Sequence, residues 1–438
     1  MNFWKDPQYH SFKVLIIVVA VFGVGAFSIG AMRGFDLSGR VYEKESINTP
    51  KLFGPQTATG PQEVFLLGGS NGEDFMNDVW RSSQGSLTTW SNISPNDPDT
   101  TEKWEPFGTH TAAYWQNKIW LMGSIYGNGA DKIWYSSDGI NWEYYIVNGL
   151  PDMDNPGVRR MLVYQNKLWL FFTTTQQSGG DFPEATGLFS SIDGYNWQNI
   201  NFSSESESCV NRVSGEVIVF QNKMYIIGGS KTGGSVLDNA TDDGGSYDQM
   251  GIDSQPPAPA VCSSNDGENW TIIAQNTDFQ NIINGKTLSS HALFVLGDKL
   301  YVFGGKINDD NPGLDGPSTG HFLSSSLDGI TWTTSVNPPL IGHNNPLLRK
   351  NMRAFTLGSK VYILGGNEVA PGGFGNGWGD VYQDIIQYSG GPALNPSSWI
   401  TVIPNNSTSP FGPHTVHAII VKPGSEIPQA PNNGEFGQ

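Results

Sequence analysis

Six segments of the chain align on a short polar turn, and the aligned residues include histidines and arginines that could bind an anion. The aligned position carries, in chain order, His110, Arg159, Gly215, His291, Met352 and His414. Further arginines stand close to this position, at Arg212, Arg349 and Arg353. Because a guanidinium group matches a carboxylate with two parallel hydrogen bonds, the pattern predicts a ring that binds a carboxylate-bearing sugar. The alternative is that these side chains hydrogen-bond backbone between repeats and are structural.

Two acidic stretches offer oxygen ligands for a metal ion. One contains Asp238, Asp242, Asp243, Asp248 and Asp253, and the other contains Asn308, Asp309, Asp310 and Asp315. Oxygen-rich loops with glycine can hold Ca²⁺, which takes about six to eight oxygen ligands. Ca²⁺ is therefore the one cofactor considered, with candidate ligands Asp242, Asp243, Asp248, Asp309, Asp310 and Asp315. The spacing lacks the regularity of an EF-hand, so a solvated acidic surface is the alternative.

Aromatic residues occur in the same set of loops. They are Tyr126, Phe182, Tyr247, Phe374 and Trp378. Such side chains either stack on sugar rings or hold long loops in place, and the sequence leaves both roles open. Tyr126 and Trp378 are taken as candidate ligand contacts.

A repeated unit must position these residues. Residues 116–142 (QNKIWLMGSIYGNGADKIWYSSDGINW) comprise a polar turn, a strand, a loop, a second strand, an Asp-Gly turn and a tryptophan. Closely similar units span residues 165–197, 221–270 and 297–332, and looser ones span 63–90 and 358–399. With a further strand before each polar turn, every unit predicts a four-stranded antiparallel meander with tight turns after strands one and three. The Asp-Gly pair suits a type I′ turn.

Six such meanders predict an all-β six-bladed β-propeller over residues 62–422, because radial stacking buries both faces of each sheet. The first unit lacks strand one, and residues 414–421 (HTVHAIIV) supply a strand with nothing after it. We therefore expect a composite blade to close the ring. The long, variable connections all lie on the face opposite the tight turns, which is where function on a rigid scaffold is expected.

The segment before the repeats predicts a membrane anchor. Residues 14–32 form an apolar run without a charge, after a short head of residues 1–13. At about 1.5 Å per residue the run spans the hydrocarbon layer. A cleaved signal peptide is the alternative, and either reading places the propeller outside the cytoplasm, anchored or secreted. Residues 33–61 are predicted to be a stalk, and residues 423–438 a disordered tail.

Composition restricts the class of partner. The chain has 438 residues, with 41 acidic against 24 basic residues and a formal net charge of −17. Such a charge repels phosphate backbones, so nucleic acid is not an expected partner. The two cysteines, Cys209 and Cys262, make no disulfide framework and have no zinc spacing. One bridge between them and two buried or free thiols are both compatible with the sequence.

The repeats resemble kelch repeats. The resemblance is carried by Gly-Gly doublets beginning at residues 68, 228, 304 and 365, by the downstream tryptophan and by an R-x-x-H pattern before strand one. The second and third repeats instead carry Met122-Gly123-Ser124 and Phe171-Phe172-Thr173. The S-x-D-G-x-x-W segments are also similar to the Asp-boxes of sialidase-type propellers, one residue shorter between Asp and Gly. Asp-boxes are structural turns, so this similarity implies no catalysis.

Together these patterns predict a membrane-anchored, extracytoplasmic propeller that binds a protein or glycan at the cell exterior through its long-loop face. The alternative is a carbohydrate-active enzyme similar to kelch-type sialic acid mutarotases or sialidase-like propellers. Sialidase-like hydrolysis needs an arginine cluster, a Tyr–Glu pair and an acid. Arginines are present, including Arg160, and Glu216 lies near one of them, but no Tyr–Glu pair can be assigned. The prediction therefore favours binding over catalysis and leaves the oligomeric state open.

Overall fold

The computed structural model describes most of the repeat region and little on either side of it. The described residues are 34–35, 41–42, 62–83, 86–107, 109–124, 132–150, 156–174, 186–210, 212–213, 215–231, 261–274, 287–308, 322–336, 349–368, 381–392, 396–405, 409–413 and 418–423. The chain divides into two compact units, Met1–Phe53 and Gly54–Gln438.

In the first unit the described residues form one small antiparallel ladder, in which β1 (Gly34–Phe35) pairs with β2 (Val41–Tyr42). The predicted head and membrane segment, residues 1–32, lie outside the described residues, as do most of the predicted stalk and residues 424–438. None of the helices formed by the described residues is long and apolar enough to cross a bilayer.

The second unit is an all-β propeller of six four-stranded antiparallel blades, which confirms the predicted architecture. Blade one contains β3 (Glu63–Ser70), β4 (Phe75–Ser83) and β5 (Ser86–Ser94), and blade two contains β6 (Thr109–Trp115), β7 (Lys118–Ser124), β8 (Lys132–Ser136) and β9 (Glu143–Ile146). Blade three contains β10 (Pro156–Tyr164), β11 (Lys167–Thr174), β12 (Thr186–Ser191) and β13 (Gln198–Asn199).

The helix α1 (Ser204–Val210) and the short strand β14 (Arg212–Val213) precede blade four. This blade contains β15 (Glu216–Phe220), β16 (Lys223–Ile227), β18 (Val261–Ser264) and β19 (Trp270–Ala274), with β17 (Ser230–Lys231) pairing with β14. Blade five contains β21 (Ala292–Leu296), β22 (Lys299–Phe303), β24 (Phe322–Ser326) and β25 (Trp332–Val336), and β20 (Thr287–Ser289) pairs with β23 (Lys306–Asn308).

Blade six contains β27 (Arg353–Leu357), β28 (Lys360–Leu364), β30 (Ile385–Tyr388) and β31 (Trp399–Ile403). The strand β26 (Arg349–Lys350) pairs with β29 (Asn367–Glu368), and a 3₁₀ turn covers Pro396–Ser398. The last strand, β32 (Ala418–Lys422), pairs antiparallel with β3 from Glu63 to Leu67, so blade one is composite.

The first strands of the six blades form a closed ring. In the order β32, β6, β10, β15, β21 and β27, each contacts the next, and β27 contacts β32. These strands are therefore innermost and surround the central channel. Because the first and last strands of the propeller share one sheet, ladder hydrogen bonds hold the ring closed.

The turns after the innermost strands are two-residue hairpin loops. In blade two Trp115 pairs with Lys118, and the two residues between them, Gln116 and Asn117, have φ angles of 48° and 60°. Two successive positive φ angles define a type I′ turn, whose twist matches that of the flanking strands. The type I′ geometry thus occurs at the Gln-Asn pairs.

The predicted type I′ turn at Asp-Gly is wrong, because an aspartate carboxylate organises a longer loop there. In blade two the Asp138 Oδ1 atom accepts hydrogen bonds from the backbone N–H groups of Ile140 (2.8 Å) and Asn141 (2.9 Å). The Ser136 hydroxyl oxygen accepts one from the Gly139 N–H (2.8 Å). Within this Asp-Gly pair only the glycine has a positive φ. Blades three, four and five repeat the arrangement around Asp193, Asp266 and Asp328.

These turns hold their aspartates ionised. Burial alone would raise the pKa of Asp138, but the N–H donors of Asn141 and Ile140 outweigh burial and lower the pKa to about 2. The same balance of burial against N–H donors lowers the pKa of Asp266 to about 2. The turns are therefore structural, and their carboxylates are already occupied by donors of their own loop.

Each interface between neighbouring blades has its own apolar cluster, so the core is a ring of six clusters. The repeated tryptophan at strand four enters the apolar cluster shared with the preceding blade. In blade five Trp332 packs with Tyr225 and Leu300 and donates its indole N–H to the Gly329 carbonyl (3.0 Å). The equivalent buried tryptophans are Trp90, Trp142, Trp197, Trp270 and Trp399.

The Gly-Gly doublets lie where one blade approaches the next. Gly228 has a φ of 70°, and a Cβ atom there would lie 2.5 Å from the carbonyl oxygen of Leu288 in blade five. The adjacent Gly229 N–H donates to that same oxygen (2.7 Å). Both the backbone conformation and the lack of space require glycine. In blades two and three, which lack the doublet, strand two instead continues straight to Ser124 and Thr174.

One disulfide joins Cys209 to Cys262, with a Cα–Cα distance of 5.9 Å. It connects α1 to the third strand of blade four, and both cysteines are fully buried in the cluster between blades three and four. The Ser206 hydroxyl accepts a hydrogen bond from the Trp270 N–H (2.9 Å), which fixes the helix against the same blade. Of the two alternatives that the sequence left open, the bridge is the one observed.

Candidate functional site

A cavity of about 220 Å³ lies within the ring of innermost strands. Each blade contributes one equivalent residue to the cavity lining. This residue lies four positions before the last residue of the innermost strand. In blade order these six residues are Ala418, Thr111, Arg160, Glu216, Ala292 and Arg353, and we call the space that they line the central cavity. It lies towards the start of the innermost strands and so opens on the long-loop face, opposite the two-residue turns.

Three charged side chains meet in the central cavity. Arg160 donates from Nε and Nη2 to both carboxylate oxygens of Glu216, in a bidentate ion pair between blades three and four. The Nη1 atom of Arg353 in blade six lies 3.8 Å from Oε1 of the same carboxylate. Since blades three and six are opposite each other in a six-membered ring, Glu216 bridges two arginines across the channel.

The charged groups remain partly accessible. The side chains of Arg160 and Arg353 are 23% and 22% exposed, against 10% for Glu216. Burial lowers the pKa of Arg353 to about 10, so it is still positively charged at neutral pH. Among the described residues that line the cavity, two guanidinium groups face one carboxylate. The centre of a strongly acidic protein therefore carries a local positive charge.

His110 and His291 occupy the preceding position on their strands and pack between blades. The Nε2 atom of His110 lies 2.7 Å from the carbonyl oxygen of Leu67, to which it donates as a neutral ring. Burial lowers the pKa of His110 to about 4. This contact joins blade two to strand two of blade one, which is the structural role considered for these residues from the sequence.

His291 is fully buried and also contributes to the cavity lining. Within the described part of the chain neither of its ring nitrogens has a hydrogen-bond partner. Burial, followed by the positive charge of Arg160, lowers its pKa to about 3, so the ring is neutral. A Cβ atom on Gly228 would lie 2.8 Å from the His291 ring, which shows how closely the imidazole fits against that doublet.

Arg349 has a different environment from the cavity arginines. It is 2% exposed and forms a bidentate ion pair with the buried Asp384, at 2.8 Å and 3.1 Å. Its guanidinium carbon lies 4.0 Å from the centroid of the Tyr382 ring, a cation–π contact. Among the described residues, those that line the central cavity do not include Arg349. Its contacts join β26 to residues 382–384, which lie just before β30.

The remaining predicted site residues are only partly covered by the structure. Arg159 lies in β10 beside Arg160, and Arg212 pairs with Lys231 in a short ladder, but their side chains are outside what the structure describes. The candidate ligand contacts His414, Tyr126 and Trp378 lie outside the described residues, as do the candidate metal ligands Asp242, Asp243, Asp248, Asp309, Asp310 and Asp315. The described residues contain no group of three or more His, Cys, Asp or Glu side chains placed to hold a metal ion.

Two charged residues of the central cavity, Arg160 and Glu216, are absent from the aligned position. In the sequence they were noted only in connection with sialidase-like hydrolysis. The signal that could have found them is a charged residue at the same register position in otherwise apolar strands.

No protein-family model matches the chain. A search of curated proteins also finds no match.

Proposed function

We propose that the protein is an extracytoplasmic kelch-like propeller that binds a protein or glycan ligand through its long-loop face, with the central cavity as the recognition site. The observation that carries this proposal is the Arg160–Glu216–Arg353 cluster. Buried charges are costly for folding alone, and hydrophobic replacements of such groups are often neutral or stabilising. Charged residues at equivalent positions of three blades, partly exposed in a cavity, are therefore better explained by recognition.

The difference between the two faces of the propeller also supports ligand binding on the long-loop face. On the tight-turn face, the backbone N–H groups and carboxylates of the turns bond to one another, as around Asp138. The central cavity lies towards the opposite ends of the innermost strands, on the face where the described strands lead into the variable connections. Loops on a rigid scaffold are the usual location of binding residues.

The kelch relationship is supported by the Gly-Gly doublets. All four have positive φ angles, and those beginning at Gly228 and Gly304 lie against the next blade. These doublets therefore allow neighbouring blades to approach closely, which explains why the repeats contain two successive glycines.

An extracytoplasmic location is supported by the disulfide. Disulfides persist in oxidising compartments and are rare in the cytosol. A bridge that is fully buried between two blades is consistent with folding after export, and it agrees with the apolar segment of residues 14–32 acting as an anchor or a signal.

Binding has more support than catalysis. The described lining of the central cavity contains one carboxylate, Glu216, and no tyrosine. A retaining or inverting glycosidase uses two carboxylates, and a sialidase-like enzyme uses a Tyr–Glu pair. Glu216 also accepts two hydrogen bonds from Arg160, so both of its carboxylate oxygens already have protein donors.

The proposal is tested with full-length protein in detergent, applied to a glycan array and used to capture proteins from the envelope of its source cells. We expect at least one saturable ligand whose binding is lost when residues that line the central cavity are replaced. Saturable binding that survives every cavity replacement would place recognition elsewhere. Protease treatment of intact cells tests the location, because an external propeller is cleaved without lysis.

A further inference from the structure

We infer that the central cavity binds a small molecule through a single carboxylate group, which Arg353 holds beside the Arg160–Glu216 ion pair. This inference rests on the proposed binding function and names the chemical class of its ligand.

The charge of the cavity provides the first argument. The described lining residues carry two guanidinium groups and one carboxylate, so one further negative charge makes the set neutral. Removing a guanidinium group from water is costly unless an anion compensates it. The excess of positive charge in the described lining therefore favours an anion in the space beside these groups.

The geometry of the arginines provides the second argument. Arg160 already holds one carboxylate, that of Glu216, with two donors, which shows that the channel accommodates a carboxylate in the bidentate arrangement. Arg353 lies 3.8 Å from that carboxylate, beyond the distance of a direct hydrogen bond. The Arg353 side chain is 22% exposed in the cavity, so a ligand carboxylate there can reach its guanidinium group.

The size and the neutral part of the cavity limit the ligand. A volume of about 220 Å³ is below the roughly 300–1,000 Å³ of pockets for drug-sized molecules, so one sugar ring or a similar group fits. Blades one, two and five contribute the small side chains of Ala418, Thr111 and Ala292, which leave space beside the charged groups. A second negative charge on the ligand would lie near Glu216 and be repelled.

The test is calorimetric titration of the full-length protein with glucuronate, glucose, acetate and inorganic phosphate. Glucuronate and glucose differ in the carboxylate, so we expect glucuronate to bind at least tenfold more tightly, the range expected for a charged hydrogen bond. Acetate distinguishes recognition of the carboxylate alone from recognition of the whole sugar acid, and phosphate tests whether any anion suffices.

Three variants make the test specific. Arg353→Gln is expected to weaken glucuronate binding at least tenfold, whereas Glu216→Gln, which removes the competing negative charge, is expected to strengthen it several-fold. Arg81→Gln is the matched control, because Arg81 also lies 3.8 Å from a glutamate oxygen but is 37% exposed on blade one. Thermal unfolding of each variant verifies the fold, and Arg353→Lys, which keeps the charge, is expected to retain part of the affinity.

Three results would overturn the inference: equal affinity for glucose and glucuronate, a preference for phosphate, or equal glucuronate affinity in Arg353→Gln and Arg81→Gln. If a ligand from the array or the envelope binds equally well to Arg353→Gln, the carboxylate inference fails while the proposed binding function stands. If no probe, glycan or envelope protein binds the native chain, both fail.

Discussion

The disulfide between Cys209 and Cys262 permits a quantitative test of how the propeller is stabilised. The cysteines are 53 residues apart, and the loop that they close contains the first two strands of blade four. In the chain-entropy model, closing a loop of this length stabilises the folded state by about 4 kcal/mol, because it restricts the unfolded chain. Alanine at both positions removes the bridge without placing a polar atom in the buried cluster between blades three and four.

The assay is guanidinium unfolding of the oxidised protein, the reduced protein and the Cys209→Ala/Cys262→Ala variant. We expect the double variant to lose about 4 kcal/mol of unfolding free energy relative to the oxidised protein, with reduction of the native chain giving a similar loss. Each single alanine variant should lose nearly as much as the double variant, since either one abolishes the bridge. This non-additivity separates the bridge from the packing of the two sulfur atoms.

Two results would refute this reasoning. If two thiols titrate in the unfolded, unreduced protein, the bridge is absent. If the oxidised protein and the double variant unfold at the same guanidinium concentration, the bridge exists but contributes nothing, and the clusters between blades alone hold blade four in the ring.

Three further perturbations test other contacts. Gly228→Ala should destabilise the protein by more than Gly297→Ala; both glycines have positive φ angles, but a Cβ atom meets a backbone carbonyl at 2.5 Å at the first and nothing within 4 Å at the second. Arg349→Met should cost about 3–5 kcal/mol in chemical denaturation, because it leaves the carboxylate of Asp384 buried without its cation. Asp266→Asn should reduce the acid sensitivity of the protein. The pKa of Asp266 is about 2 in the folded protein, below the value of about 3.9 in an unfolded chain. The ionised aspartate therefore stabilises the fold above pH 4, and this stabilisation is lost as the pH falls towards 2.

Each of these predictions has a contradicting outcome. Equal stability of the two glycine variants would mean that the doublet tolerates a side chain. A loss at Arg349 no larger than that of the exposed Arg81→Met would mean that the pair with Asp384 is not fully formed. The unfolding free energy of Asp266→Asn could fall between pH 4 and pH 2 as steeply as that of the native protein. That result would show that this carboxylate does not contribute to the acid transition.

The fold could be predicted from the sequence because its signals are local and repeated. The Gln-Asn turns, the strands after them and the tryptophan at strand four recur at matching positions, and each has one structural solution. Closure could also be predicted, because the first unit lacked a first strand and residues 414–421 offered one, and the observed β32 (Ala418–Lys422) pairs there. The Asp-Gly turn was misjudged because a side-chain carboxylate, and not the backbone twist alone, determines its length.

The site was less predictable because it depends on a difference of one residue in register. Successive side chains of a strand point to opposite faces. His291 therefore packs between blades, whereas its neighbour Ala292 is at the position that holds a charged side chain in blades three, four and six. Which charges meet across the channel depends on the number of blades and on long side chains reaching past the axis. The pairing of Glu216 with arginines of blades three and six joins residues 56 and 137 positions apart, and no local pattern encodes it.

The most direct test of the central claim is a crystal structure of the protein soaked with glucuronate. A single sugar acid in the central cavity, with its carboxylate within hydrogen-bond distance of the Arg353 guanidinium and the Arg160–Glu216 pair retained or displaced beside it, is the predicted result. A cavity that contains only water while glucuronate occupies another surface, or no site at all, would contradict the account.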